Sequence, residues 1–171
     1  QNMNNITLEL FGSNLNKQDL KNIYALNQDN VPEVGSIENE EVFAELIRMS
    51  TFNLVAKYHD EVVGFIICFK ESSEYQSLNY KFFKENVDTF LYIDRVAIKD
   101  GYRGKALGTQ VYEKVIAEAA KLNVPVLCEV NTRPANEPSL KFHEKMGFKE
   151  CGTNDFSYNS VVYLRREIHG A

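Results

Sequence analysis

The chain has 171 residues, of which 44% are hydrophobic and 25% charged, and its formal net charge is −5. Length and balance are those of one globular domain with a real core, which excludes a largely disordered chain, a collagen-like repeat and a small disulfide scaffold. The acidic balance supplies no overall basic field to hold nucleic acid or an anionic membrane, so neither is expected as a partner.

In chain order, residues 6–11 alternate apolar and polar side chains and read as a short strand. Residues 17–27 carry Leu20, Ile23, Tyr24 and Leu26 near helical spacing, until Pro32 and Gly35 interrupt the pattern. Residues 39–49 place Val42, Phe43, Leu46 and Ile47 on one helical face. Residues 52–58 and 62–69 read as a hairpin turned at His59-Asp60-Glu61, and the second strand is apolar on both faces, as a strand inside a sheet should be. Residues 70–89 are polar but carry Tyr75, Tyr80, Phe82 and Phe83, and part of this segment is expected to be helical. Residues 90–98 form a further strand and 99–105 a charged, glycine-containing turn. The cleanest helix is 107–122, with Leu107, Val111, Val115, Ala119 and Leu122 on one face.

A strand at 124–131, a loop at 132–137 and a short helix at 138–146 follow, with Gly147 expected to end that helix. Strands at 148–151 and 161–168 close the chain. The strand–helix–strand unit over 90–131 predicts two adjacent parallel strands, and the hairpins on either side predict antiparallel ones. The expected architecture is therefore a mixed α/β sheet with helices on both faces, forming a single domain over residues 1–171.

Cys68, Cys128 and Cys151 are odd in number and show no Cys-x-x-Cys spacing, so buried reduced thiols are expected rather than a disulfide framework or zinc ribbon. No apolar run is long enough to span a membrane. Residues 1–15 lack a basic region followed by an apolar block, so no signal peptide is read and the cytoplasm is the expected compartment.

Two segments carry chemistry. Residues 98–109 follow a strand and open the longest helix, and the small residues Gly104, Ala106 and Gly108 allow close backbone approach. Free N–H groups at a helix start favour phosphate oxygens, and Arg103 and Lys105 add positive charge. The segment is neither a P-loop nor a dinucleotide fingerprint, since Gly-Lys-Ser/Thr and Gly-x-Gly-x-x-Gly are both missing. The alternative is a plain strand-to-helix turn with solvated basic residues. Residues 131–148 form the second segment: Asn136 can cap a helix on which Ser139, Phe142, His143 and Met146 share one face.

Together these segments resemble the GCN5-related N-acetyltransferases, the GNAT superfamily. That family's phosphate loop reads Arg/Gln-x-x-Gly-x-Gly/Ala, matched here by Arg103, Ala106 and Gly108. Ala106 replaces the first glycine, and an ordinary φ is expected there. The family's later motif, Asn-x-x-Ala-x-x-x-Tyr-x-x-x-Gly-Phe, is matched by Asn136, Ser139, His143, Gly147 and Phe148. Element order follows the family over residues 6–168.

The resemblance implies the acyl-CoA N-acyltransferase fold, a mostly antiparallel sheet with a splayed parallel strand pair. It implies acetyl-coenzyme A as co-substrate, with no metal. The pyrophosphate is expected on Arg103, Gly104, Lys105, Ala106, Leu107, Gly108 and Thr109, and the pantetheine arm along Val96, Ala97 and Ile98, with contacts from Asn131, Asn136, Ser139, Phe142 and His143. The N–H of Val96 is expected to polarise the thioester carbonyl. His143, standing where many relatives carry Tyr, is expected to protonate or hydrogen-bond the leaving thiolate, its rival role being a packing histidine. Asp94 or Glu129 is expected to act as base toward the acceptor ammonium, unless Asp94 is taken up in a salt bridge with Arg95. Asn30, Pro32, Tyr80 and Phe83, with Asp94 and Glu129, are expected around the acceptor, although the rings equally suit a plug at the sheet end.

The resulting expectation is an N-acetyltransferase acting on a small-molecule primary amine, as a monomer or homodimer. The alternatives are a protein N-terminal or lysine acetyltransferase, a catalytically silent coenzyme A-binding module, and a nucleotide-binding α/β protein.

Overall fold

The computed structural model describes residues 5–104 and 106–168. Strand β1 (Ile6–Leu10) leads into helices α1 (Lys17–Asp29) and α2 (Glu40–Met49). Asparagines start both helices: Asn16 accepts the Asp19 N–H at 2.8 Å and Asn39 the Val42 N–H at 2.9 Å, supplying partners the first turn lacks. The hairpin β2 (Phe52–Tyr58) and β3 (Glu61–Lys70) follows, then α3 (Leu78–Asn86), the helix expected within residues 70–89. The parallel unit is β4 (Leu91–Ile98), α4 (Leu107–Leu122) and β5 (Val126–Arg133). Helix α5 (Glu137–Lys145) and the hairpin β6 (Lys149–Asp155) and β7 (Ser160–Arg166) complete the chain.

The seven strands form one sheet in the order β1-β2-β3-β4-β5-β7-β6. Only β4 and β5 are parallel; every other neighbouring pair is antiparallel. The sheet's two faces each hold a core. On one, Leu107, Val111, Val115 and Ala119 of α4 cover Ile66, Leu91, Val126 and Val130. On the other, Ile23, Leu26, Phe43 and Leu46 of α1 and α2, with Tyr80 and Phe83 of α3, cover Phe65, Ile67, Tyr92 and Leu127. The expected mixed sheet with helices on both faces is therefore the architecture observed. Strand β3 is apolar on both sides because helices bury both of its faces. Among the described residues no helix is long and apolar enough to cross a membrane.

Two expectations are corrected. Tyr80 and Phe83 do not line an acceptor pocket; both are fully buried. Helix α3 turns its aromatic face inward, so that Phe83 meets Tyr92 at 5.6 Å and Tyr163 edge-on at 5.1 Å between ring centroids. The Tyr80 hydroxyl donates to the Lys70 carbonyl at 2.5 Å. These rings close the end of the sheet. Cys68 and Cys128 are buried free thiols as expected, but Cys151 is exposed, because β6 is an edge strand with almost every residue open to solvent.

Phe83→Ala should therefore cost about 3–5 kcal/mol of stability through the cavity it opens, read as a lowered denaturation midpoint in urea. A pocket-wall role would instead change an acceptor's KM and leave the midpoint in place.

Candidate active site

The central feature is a gap between two strands. β4 and β5 pair only at Leu91↔Val126 and Tyr92↔Leu127, and then diverge. On its other side β4 stays in register with β3, through Gly64↔Ile98, Phe65↔Ala97 and Ile66↔Val96. The Lys99 N–H donates to the Val63 carbonyl at 2.8 Å, which fixes the phase of that antiparallel ladder. By alternation, Ala97 turns its backbone groups to β3, while Val96 and Ile98 turn theirs toward β5. The Ile98 carbonyl takes the Arg103 Nε–H at 3.0 Å. The N–H groups of Val96 and Ile98 face the gap without a paired strand. The gap widens into a cleft of about 850 Å³.

Carboxylates stand on the α1–α2–α3 side of this cleft. Ile67 pairs with Arg95 and Cys68 with Ile93, so Asp94 is the extra residue of a β-bulge, a device that re-aims a side chain. Its two oxygens accept from the Tyr75 hydroxyl at 3.0 and 3.1 Å, and one also accepts from Arg95 Nε at 3.1 Å. The same guanidinium reaches out through Nη1 to Asn27 Oδ1 and to the Gly35 carbonyl, both at 2.9 Å. It thereby ties the Pro32–Glu33–Val34–Gly35 stretch of cleft wall to β4. Glu129 of β5 accepts from the Tyr92 hydroxyl at 2.7 Å. Burial pushes its carboxyl up to about 8; the Tyr92 hydrogen bond opposes this and the charge of Asp94 adds to it.

The β6–β7 hairpin supplies the rim on this side. Phe156 and Tyr158 stack at 5.5 Å, and Tyr158 is 72% exposed. Asn159 donates to Asn131 Oδ1 at 2.8 Å, and its own Oδ1 is a buried acceptor without a partner among the described residues.

An imidazole and a phenol stand on the opposite, α4–α5 side. His143 Nδ1 is 2.7 Å from the Ser139 carbonyl, which can only accept, so this nitrogen carries the proton. Nε2 therefore accepts from the Tyr112 hydroxyl at 2.8 Å. Burial lowers the His143 pKa, against the Ser139 hydrogen bond, and favours the neutral ring. Asn136 starts α5, accepting the Ser139 N–H at 3.3 Å, and its own N–H donates to the Asn131 carbonyl at 3.0 Å.

Beyond Ile98 the chain turns into the start of α4. Among the described residues no side chain caps this helix, which leaves the first-turn N–H groups of Leu107, Gly108 and Thr109 without helical acceptors. Gly108 lies beside Ile98 and Phe142: a Cβ there would meet them at 3.6 and 3.8 Å, an ordinary contact distance. Gly104 has φ +74, and Ala106 also adopts φ 65. The expectation of an ordinary φ at Ala106 is thus corrected. The turn needs a left-handed residue immediately before the helix, and alanine bears the strain of supplying it. Arg103 reaches across to the end of α1, donating to Asn30 Oδ1 at 2.5 Å, and also pairs with Asp100.

Of the residues singled out in the sequence, Val96, Asn131, Asn136, Ser139, His143, Asp94, Glu129 and Pro32 line the cleft together. Arg103, Gly104 and Ala106 lie in the turn after β4 and Leu107, Gly108 and Thr109 in the first turn of α4, with Phe142 packed beside Gly108. Ala97 is buried with its backbone engaged by β3. Asn30 is buried off the cleft wall, donating to the Leu26 carbonyl at 2.8 Å. Lys105 lies outside the described residues. Sequence reading missed Tyr112, which sits beside Val111 on the apolar face of α4 and reads as core, and Asn159, which reads as an ordinary hairpin residue.

The cleft thus joins a parallel pair parting at a bulge, backbone donors turned into the opening and an uncapped helix beyond it. The sequence profile of the Acetyltransferase (GNAT) family matches residues 20–148, and the chain belongs to that family. Curated protein sequences give no significant match. Among solved structures, the ribosomal-protein-S18-alanine N-acetyltransferase from Escherichia coli superposes with a TM-score of 0.68 at 17% identity, covering 96% of each chain. Naa50 of Arabidopsis thaliana, solved with the bisubstrate analogue CoA-Ac-MVNAL, gives 0.68 at 23% identity, covering 94% of this chain and 98% of that one. Ard1 from Thermoplasma volcanium gives 0.70 at 20% identity, with 95% and 97% covered. At these identities the likeness is one of fold.

Ala106→Gly should relieve the left-handed strain and stabilise the protein by about 1 kcal/mol. Differential scanning calorimetry should then register a rise of about 2–4 °C in Tm for a chain of this size.

Proposed function

We propose that the protein transfers the acetyl group of acetyl-coenzyme A to the α-amine of a peptide chain, by direct attack of the amine. The observation that carries this reading is the gap through the sheet, with carboxylates on one face, the His143–Tyr112 pair on the other and the free Val96 N–H between them. The residues fit the co-substrate. Val96 and Ile98 offer strand-like donors to the pantetheine arm. The uncapped start of α4, with Gly104 and Ala106 just before it, offers N–H groups to the pyrophosphate. Val96 N–H is placed to polarise an acyl carbonyl laid along β4. His143 then stands on the side of the leaving thiol, with Asn131, Asn136, Ser139 and Phe142 around it.

Glu129 suits the base better than Asp94, whose oxygens are already taken by Tyr75 and Arg95. Its ordinary function as a carboxylate would be too weak for an ammonium, but its pKa of about 8 removes that mismatch. An α-amine titrates at about 7.7–8.0 and a lysine side chain at about 10.4, so a carboxyl raised by burial supports the former. The rim supports a chain-like acceptor: Asn159 Oδ1 offers an unfilled acceptor, and exposed Tyr158 extends the surface beyond what a small amine needs. Arg95, the guanidinium that lines the cleft, commits Nε to Asp94 and Nη1 to Asn27 and Gly35, which ties it to the wall more than to an acceptor's carboxylate. The E. coli structure named for the alanine of a ribosomal protein, and Naa50 with its peptide-bearing analogue, agree with this acceptor class. A small polar amine is the second reading, favoured by the tyrosine and carboxylate cluster of Tyr75, Asp94 and Glu129.

The test offers acetyl-coenzyme A with three probes: peptides with a free N-terminus, the same peptides blocked there but carrying lysine, and spermidine. Thiol release should be fastest with the free N-terminus. Turnover of spermidine alone establishes the small-molecule reading, and no turnover together with no thermal shift by acetyl-coenzyme A removes the transferase reading.

Because Glu129 must be ionised to take a proton, kcat should rise with pH toward a plateau above about 8. Glu129→Gln should flatten that limb and lower kcat by about 10²–10⁴-fold. The same group makes stability fall as pH rises from the ordinary carboxylate range through about 8, since the folded state keeps a proton that the unfolded state loses. Glu129→Gln should remove this decline in denaturant titrations.

A further inference from the structure

We infer that the hydroxyl of Tyr112, held in place by His143, is the hydrogen-bond donor to the leaving thiolate of coenzyme A. The inference rests on the acetyl-coenzyme A reading above and deepens it. His143 has one proton in its neutral form, on Nδ1, and the Ser139 carbonyl takes it at 2.7 Å. Its other nitrogen is filled by the Tyr112 hydroxyl at 2.8 Å. The imidazole therefore holds no donor free for a sulfur in the cleft. The phenol does: Tyr112 lines the cleft beside His143, and its hydroxyl proton needs only to rotate from Nε2.

The surrounding packing keeps the pair in register. The Tyr112 ring stands edge-on to Phe142 at 4.9 Å, to His143 at 5.2 Å and to Phe148 at 6.0 Å, so the phenol has little freedom besides rotation of its hydroxyl. Burial holds Tyr112 protonated far above neutral pH, as suits a group that donates a hydrogen bond without surrendering the proton.

The step balances without a further proton donor. Starting from the neutral amine, whose ammonium proton has already passed to solvent, the nitrogen forms a bond to the acyl carbon, and the carbon–sulfur bond breaks with its electron pair passing to sulfur. The proton released from nitrogen goes to the Glu129 carboxylate. The sulfur departs as a thiolate that accepts the Tyr112 O–H, and it is protonated by water after release. Tyr112 is then a catalytic residue, and His143 a positioning residue that holds the hydroxyl proton at the cleft wall and yields it when the thiolate forms.

The experiment compares coenzyme A with desulfo-coenzyme A, which lacks only the thiol, by titration calorimetry at pH ~9, where an ordinary thiol of pKa about 8.5 is largely ionised. The wild type should bind coenzyme A at least about tenfold more tightly than desulfo-coenzyme A, the value of a hydrogen bond to a charged group. Tyr112→Phe should bring the ratio to near one, whereas His143→Leu, which removes the acceptor that competes for the same hydroxyl proton, should keep it at about tenfold or above. A general loss of structure weakens both ligands and leaves the ratio unchanged. A wild-type ratio near one, or a ratio that survives Tyr112→Phe, overturns the inference. Loss of the ratio in His143→Leu with retention in Tyr112→Phe overturns it in favour of His143 as the donor. Failure of the wild type to bind either ligand marks the acetyl-coenzyme A reading as the part that failed.

Discussion

Two residue pairs hold β4 to β5, and the site depends on there being no third. Leu91 and Tyr92 meet Val126 and Leu127, all four side chains buried, and fix the root of the wedge. Past that point the bulge at Asp94 turns β4 while β3 keeps it in register. The strands part because one stays bound to β3 and the other to β7, so each wall of the cleft is a sheet in its own right. Rigidity comes from those two antiparallel ladders, and the opening from the missing bonds between them.

The divergence also separates the chemistry. Side chains of a strand alternate between faces, so Glu129 looks to the α3 side while its neighbours Cys128 and Val130 look to α4. Carboxylates therefore collect on one face and the His143–Tyr112 pair on the other, with backbone N–H groups in the plane between. A proton acceptor and a hydrogen-bond donor for a leaving group work best apart, since direct contact would let them neutralise each other. Here the thickness of a sheet keeps them so.

Much of this was legible in the sequence. The βαβ unit was read from apolar periodicity, and the helix at 107–122 matches α4 residue for residue. Asn136, Ser139, His143 and Gly147 were found because a helix spacing links them. What stayed hidden depended on three dimensions. Tyr80 and Phe83 looked like pocket walls because aromatic residues in a polar stretch suit either a cleft or a plug, and only the packing against Tyr92 and Tyr163 decides. Tyr112 looked like core because it is core on every side but one. The backbone angle at Ala106 could not be read from an alanine, whose side chain prefers the other region of φ. The bulge that re-aims Asp94 has no signature in its own residues.

The unpaired stretch of β4 is a sheet edge, but it lies in the middle of the sheet. An edge at the border of a sheet accepts a strand from any passing chain, which is why such edges are guarded. An edge enclosed between two ladders admits only something one strand wide, entering lengthwise. Val96 and Ile98 can thus present bare N–H groups without inviting aggregation. The recognition they offer is independent of their side chains, so packing against α4 is free to vary in sequence while the row of donors stays the same.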